Sequence, residues 1–373
     1  MSVSDKIKME ISERGPIPFS RYMEMCLYDP EDGYYSRNAE QFGKAGDFYT
    51  SSDVHAVYGR LLARQFDEMW RTLDRPAEIE VVELGPGRGL FAQDVLDWSA
   101  KKFPEFSECL RYVMVESSPA LRRRLEERFA SQMAADQVEV LECMPSMGED
   151  TIVFANEYFD AMPVDILSSE GQLHVDIKHQ RFTDVFLPAN SECLEYLDRY
   201  SVHPEPGERV EACLAASTAM DQICSGIRRG FLIVVDYGYT RAEQLEGRHR
   251  GTLMTYRQHS ASPNPYEAPA EQDITAHVNF TALAAIAEKH GLKVEPLLTQ
   301  SQLLLGIGET TQFADVFEDC RMPQERAKVG LQLKHLVTPS GMGETFHVLV
   351  CSKNVERSRL ADLAGLGFIK SRI

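Results

Sequence analysis

The stretch 81-VVELGPGRGLF-91 sets Gly85, Gly87 and Gly89 at alternate positions behind a short apolar run that closes on an acid, Glu83. Glycine costs backbone entropy and packs nothing, so such a cluster marks tight turning or the close approach of another group. Residues 79–84 read as a strand and 89–102 as a helix. The glycines therefore sit at the strand-to-helix edge, where doubly wound α/β sheets bind nucleotides. Spacing narrows the ligand. A dinucleotide fingerprint, G-x-G-x-x-G, needs its third small residue at Leu90, and a P-loop needs a Gly-Lys-Ser/Thr that does not follow. The pattern present is E-x-G-x-G-x-G.

Outward from this loop, apolar strands at 79–84, 111–116, 137–141 and 151–155 alternate with helices at 89–102 and 118–133. That alternation predicts a parallel, doubly wound, Rossmann-like sheet. Upstream, helical spacing marks 18–28 and about 53–73, so residues 1–75 read as a helical N-terminal extension. Downstream the alternation lapses. A hairpin is expected over 172–187, a helix over 207–227 and a strongly apolar strand at 230–236. A helix at 279–290, a strand at 292–298, helical segments within 301–336 and a last strand at 345–352 follow. The core thus spans 76–353 with insertions at about 160–206 and 238–275, and 354–373 reads as a C-terminal tail.

The chain has 373 residues, 43% of them hydrophobic, enough for one elaborated domain or two. No apolar run reaches the eighteen or so residues of a membrane span, and the N-terminus lacks the apolar core of a secretory signal. A bacterial cytoplasmic protein is the expectation, with the mitochondrial matrix as the eukaryotic alternative. The net charge of −18 opposes nucleic acid as a partner. Eight cysteines are scattered with no C-x-x-C, so no metal site is expected.

E-x-G-x-G-x-G resembles motif I of class I S-adenosylmethionine (SAM) methyltransferases. Three further stretches, 15-GPIPFSRYMEMCLYDPEDGYY-35, 43-GKAGDFYTS-51 and 155-ANEYFDAMPV-164, join it, with 273-DITAHVNF-280 and 342-MGETF-346. Together they resemble the MidA family, in the same order over about residues 12–352. That family includes the mitochondrial protein that methylates an arginine on a core subunit of respiratory complex I. The resemblance implies a mostly parallel seven-stranded sheet, SAM as cofactor, and a protein arginine side chain, in a respiratory-assembly role, as the acceptor. The loop 251–278 departs from the mitochondrial pattern, which keeps a small-molecule O- or N-methyltransferase open beside it. A non-catalytic SAM-binding assembly factor is the third reading. The oligomeric state, a homodimer included, stays open.

The resemblance places Gly85, Gly87 and Gly89 against the cofactor, Glu116 at the end of the next strand on its ribose, and Glu83 near its cationic end. Gly46, Asp47, Thr50 and Ser51 would close over it as a lid, though the same residues also read as a surface turn. Asn156 and Glu157 follow the fourth strand, where the methyl should sit, and Asp160 comes three residues later. Acids there suit a protonated guanidinium, whose charge needs carboxylate partners to orient it. Asn156 and Asp160 equally read as turn caps. Asp236, Tyr237 and Gly238 would wall the far side. His277 is a candidate base with Asp273 nearby, although a loop histidine is more often a hydrogen-bonding core residue.

Overall fold

The computed structural model describes residues 1–36, 56–257 and 260–370. These residues form two compact units, each drawn from separated stretches of the chain.

The larger unit, over 56–157, 223–236 and 287–370, is built on a twisted sheet. Its path runs Lys293–Val294, Phe346–Lys353, Arg229–Tyr239, Asp150–Asn156, Ile79–Leu84, Leu110–Val115 and Val138–Leu141. The last five strands are mutually parallel. Lys293–Val294 runs antiparallel to Phe346–Lys353, as does the short strand Leu298–Thr299. With Val278–Asn279 alongside the end of Arg229–Tyr239, the expected seven-stranded path carries two extra short strands.

The central strands are apolar on both faces because helices cover both: Val81, Val82, Ile152, Val153, Phe154 and Phe231–Val235 are buried. Helix Ala56–Thr72 packs on helix Leu90–Lys102. Phe91 of the latter stacks on Phe154 at a centroid distance of 4.5 Å, with Phe66 edge-on to both. The expected helix over 118–133 divides at Phe129 into Pro119–Arg128 and Ala130–Ala134.

Residues 354–370 are not a loose tail. Leu363 and Leu366 are buried, and the Ala364 and Gly365 amides donate to Glu68 and Gln65 of helix Ala56–Thr72 at 2.9 and 2.8 Å.

The smaller unit, over 1–36, 158–222 and 237–286, divides residues 1–75 differently from the single helical extension expected. Helix Ala56–Thr72 belongs to the larger unit. Helices Val3–Arg14 and Phe19–Tyr28 instead close one core with the two insertions. Ile7, Ile11, Phe19, Tyr22 and Met23 pack with Ile166, Leu173, Val175 and Ile274. The reason is backbone pairing: Ile17 and Pro18 add an antiparallel strand to Gly171–Lys178. That strand also pairs with Asp165–Ser168 and with Arg181–Leu187, the expected hairpin. Val210–Ala212 completes this sheet, so the expected helix over 207–227 begins only at Leu214. Within the Pro-rich loop, Met254–Arg257, Ser260–Ser262 and Asp273–Thr275 form a second small sheet.

Candidate active site

Gly85, Gly87 and Gly89 all adopt left-handed backbone, with φ of 65°, 53° and 71°, a region closed to most side chains. The Gly85 amide donates to the Val115 carbonyl at 3.0 Å, tying the loop to the end of the neighbouring strand. Gly89 has a further duty. It caps helix Leu90–Lys102, and a Cβ there would lie 2.6 Å from Leu125 Cδ2 and 2.8 Å from Phe129 Cε2. Its missing side chain serves helix packing.

Glu116 follows the strand Leu110–Val115 and is buried. Its carboxylate accepts the Ser118 amide at 2.8 Å and also takes the Gly87 and Ser117 amides. Ser118 caps helix Pro119–Arg128, its own hydroxyl accepting the Leu121 amide at 3.4 Å. Burial is the largest influence on Glu116 and pushes its pKa up to about 7 against those hydrogen bonds. Glu83, on the adjoining strand, is buried too and accepts the Tyr112 hydroxyl at 2.8 Å. Burial pushes Glu83 up to about 8, with the Glu116 charge adding to it. Two carboxylates withdrawn from water beside a bare loop backbone, with Arg122 close to Glu116, make a site rich in acceptors.

At the end of the next strand, Asp150–Asn156, the Tyr58 hydroxyl donates to Asn156 Oδ1 at 2.9 Å, and Asn156 Nδ2 donates to Glu157 Oε1 at 3.1 Å. Glu157 adopts a φ of 50°, while its amide donates to the Val235 carbonyl at 2.9 Å. A glutamate held in left-handed backbone is strained, and such strain collects at functional positions. Tyr58 is buried, its hydroxyl held in the neutral form by burial first, then by the Glu157 and Glu83 charges. The four side chains therefore share one end of the sheet. Asp236 ends the buried part of Arg229–Tyr239 in this unit, fully enclosed.

Asp160, Asp273 and His277 lie in the smaller unit, as do Tyr237 and Gly238. Asp160 is buried and its carbonyl accepts the Ala276 amide at 2.9 Å. Asp273 accepts the Tyr35 hydroxyl at 2.8 Å and the Ile274 amide at 3.0 Å. Tyr35 and Tyr256 are both raised by burial and by the Asp160 and Asp273 charges, so two acids and two tyrosines are gathered there. The His277 ring lies parallel to Tyr237 and against His249, and its amide donates to Thr252. Gly238 is packed tight: a Cβ would lie 2.4 Å from Phe280 and from the Val278 carbonyl. The expected lid residues Gly46, Asp47, Thr50 and Ser51 lie outside the described residues.

Tyr58, Tyr112, Tyr35 and His249 had no mark in the sequence. Tyr58 fell on the apolar face of its helix and Tyr112 among strand residues, so their hydroxyl partners were invisible.

Residues 61–297 match the model of a family described as "Putative S-adenosyl-L-methionine-dependent methyltransferase". The chain belongs to this MidA-like family. Its cofactor is S-adenosyl-L-methionine, and it is a SAM-dependent methyltransferase. A mitochondrial protein arginine methyltransferase NDUFAF7 homolog of Drosophila melanogaster is 30% identical over 332 residues, covering 78% of this chain and 71% of that protein. The human protein arginine methyltransferase NDUFAF7 is 25% identical, covering 91% and 80%. A crystal structure of a superfamily member from Burkholderia thailandensis, bound to S-adenosyl-homocysteine, superposes with a TM-score of 0.82 at 29% identity, covering 98% and 94%.

The residues present fit the cofactor. Left-handed glycines bare the backbone for close approach, and the buried acids Glu83 and Glu116, the latter with Arg122 nearby, offer acceptors that suit a cationic, hydroxyl-bearing ligand. Among the described residues no helix is long and apolar enough to cross a membrane.

Proposed function

We propose that the methyl acceptor is an arginine side chain of a protein, in a respiratory-assembly role. The observation that carries the reading is Glu157, a carboxylate held in strained backbone by Asn156 and Tyr58 at the end of the sheet that bears the glycine loop. A guanidinium needs an oriented carboxylate to fix its plane and localise its charge. The printed names of the fly and human relatives support the same acceptor.

The chain's residues then divide the work. Gly85 and Gly87 present backbone amides, Glu116 accepts the cofactor's hydroxyl groups, and Glu83 balances its positive end. SAM, when bound, supplies a methyl group activated by its attachment to a sulfonium. Glu157 holds the acceptor nitrogen in line, and alignment of that kind is worth several orders of magnitude in rate. Within the smaller unit, Asp160 and Asp273 gather with Tyr35 and Tyr256 into an acidic, aromatic cluster of the kind that suits a cationic side chain.

Labelled methyl transfer from SAM into a lysate of cells lacking this gene tests the reading. Label in acid-stable methylarginine of the protein fraction supports it. Label confined to small molecules favours the O- or N-methyltransferase of metabolites, and label in neither favours the assembly factor.

A further inference from the structure

Within the larger unit, Tyr58 heads a short chain of hydrogen bonds that ends on Glu157. Its hydroxyl donates to Asn156 Oδ1 at 2.9 Å, and Asn156 Nδ2 donates to Glu157 Oε1 at 3.1 Å. The groups themselves fix the direction. Burial first, then the Glu157 and Glu83 charges, keep the Tyr58 phenol neutral, so it has one proton to give. An ionised carboxylate at the other end only accepts. Asn156 therefore serves both neighbours in one amide orientation. Reversed, its Oδ1 would face Glu157 Oε1, acceptor against acceptor. The frame around the chain is closely packed. The Tyr58 ring lies 5.7 Å from Phe91, and Phe91 stacks at 4.5 Å on Phe154, a residue of the same strand as Asn156. Beside Tyr58, a Cβ on Gly59 would lie 2.5 Å from Asp94 Cβ, so the bare glycine lets helix Ala56–Thr72 settle close to helix Leu90–Lys102. The Glu157 main chain is pinned in turn, its amide donating to the Val235 carbonyl at 2.9 Å.

We infer that Tyr58 and Asn156 are positioning residues: the phenol locks the Asn156 amide, and the locked amide aims the Glu157 carboxylate at the acceptor nitrogen. The inference rests on the reading of Glu157 as the group that orients the acceptor. It assigns Asn156 to the acceptor side of the reaction, its side chain spent on the carboxylate and not on the cofactor. A part-buried amide oxygen left without its donor is costly. Without the Tyr58 hydroxyl the Asn156 side chain turns, and Glu157 loses the N–H that steadies Oε1. That last link matters most, because a hydrogen bond to an ionised acid is stronger than one between neutral groups. Glu157 also leaves the sheet in left-handed backbone, with φ of 50°. Strain of that kind is kept where the direction of a side chain matters.

Two variants separate hydrogen bonding from packing. Tyr58→Phe removes the hydroxyl and keeps the ring against Phe91. Asn156→Asp removes the Nδ2 donor and keeps the side-chain shape. Each is compared with wild type, alone and combined with Glu157→Gln, in labelled-methyl transfer from SAM into the lysate of cells lacking the gene. Calorimetry gives SAM affinity for the same proteins. The expected rates are about tenfold lower for Tyr58→Phe and about a hundredfold lower for Asn156→Asp, the scale of a misplaced group, with SAM affinity within about threefold of wild type. Added to Glu157→Gln, Tyr58→Phe should cost less than about twofold more, because an amide at position 157 meets Asn156 in either orientation. A spectroscopic mark accompanies the loss. The Asn156 side-chain amide of the ligand-free protein, assigned by its absence in Asn156→Asp, should shift or double in the nitrogen–proton correlation spectrum of Tyr58→Phe. An unchanged rate in Tyr58→Phe overturns the inference, as does an unchanged Asn156 signal. A tenfold loss that persists on top of Glu157→Gln also overturns it, leaving a packing role for Tyr58. Loss of SAM binding in Asn156→Asp would return Asn156 to the cofactor and overturn the relay. If Glu157→Gln alone is as active as wild type, the parent reading of Glu157 fails instead.

Discussion

Replacing Gly89 by alanine adds one methyl group at the start of helix Leu90–Lys102, where φ is 71° and the new Cβ would lie 2.6 Å from Leu125 Cδ2 and 2.8 Å from Phe129 Cε2. Left-handed backbone costs an L-residue about 1–2 kcal/mol. Forcing a methyl into a packed contact costs about 1–3 kcal/mol more. The sum, about 2–5 kcal/mol, is a large share of a domain's stability. Trp98 lies buried on the same helix, so its fluorescence during urea unfolding reports the loss locally. Leu125→Ala removes the nearest obstructing atom and by itself costs about 2–5 kcal/mol through the cavity it leaves. In Gly89→Ala/Leu125→Ala the new methyl occupies part of that cavity. The double variant should therefore be more stable than the sum of the singles by about 1 kcal/mol or more. Additive losses would show that the Gly89–Leu125 contact does not limit the site. A Gly89→Ala variant as stable as wild type would refute both the backbone and the packing argument.

Gly87→Val should abolish SAM binding in calorimetry while the fold persists, because φ is 53° and the loop backbone must stay bare; unchanged affinity contradicts this. Glu157→Gln should bind SAM within a few-fold of wild type yet lose turnover by about a hundredfold, the scale of a misplaced reacting group; retained turnover or lost SAM binding would contradict the assignment. The buried acids give a pH signature. Glu83 and Glu116 are raised to about 8 and about 7, so the folded ligand-free chain holds protons that the unfolded chain has released above the ordinary carboxylate range. Stability without ligand should be fullest near pH 5 and fall as pH rises to about 8, while SAM, a cation favouring the ionised acids, binds more tightly over the same range. Melting curves and binding constants that are flat from pH 5 to 8 would count against the buried pair.

Much of the larger unit was legible because its signals are local. Three glycines at alternate positions, apolar runs that read as strands and an acid at a strand end state their geometry within a few residues. The smaller unit was hidden for the opposite reason. The pairing of Ile17 with Val175 spans most of the N-terminal half of the chain, and a two-residue strand has no period to detect. Val210–Ala212 is three residues long and was absorbed into the helix that follows it. Residues 363–366 looked like part of a tail because the partners of Ala364 and Gly365 on helix Ala56–Thr72 lie about 300 residues away. At the site, Glu157 was legible by its place after a strand. Its left-handed backbone was not, since glutamate carries no propensity for that region. His277 and Asp273 were both legible as polar loop residues, but the contact of His277 with His249 and of Asp273 with Tyr35 joins residues far apart in the chain and carries no local signal.

Methylarginine proteomics of cells lacking the gene, complemented either by the wild-type chain or by Glu157→Gln, tests the central claim most directly. The account predicts at least one protein arginine site that loses methylation in the deletion, regains it with wild type and does not regain it with Glu157→Gln. An arginine methylome identical in all three strains, with a methylated metabolite lost instead, would contradict it.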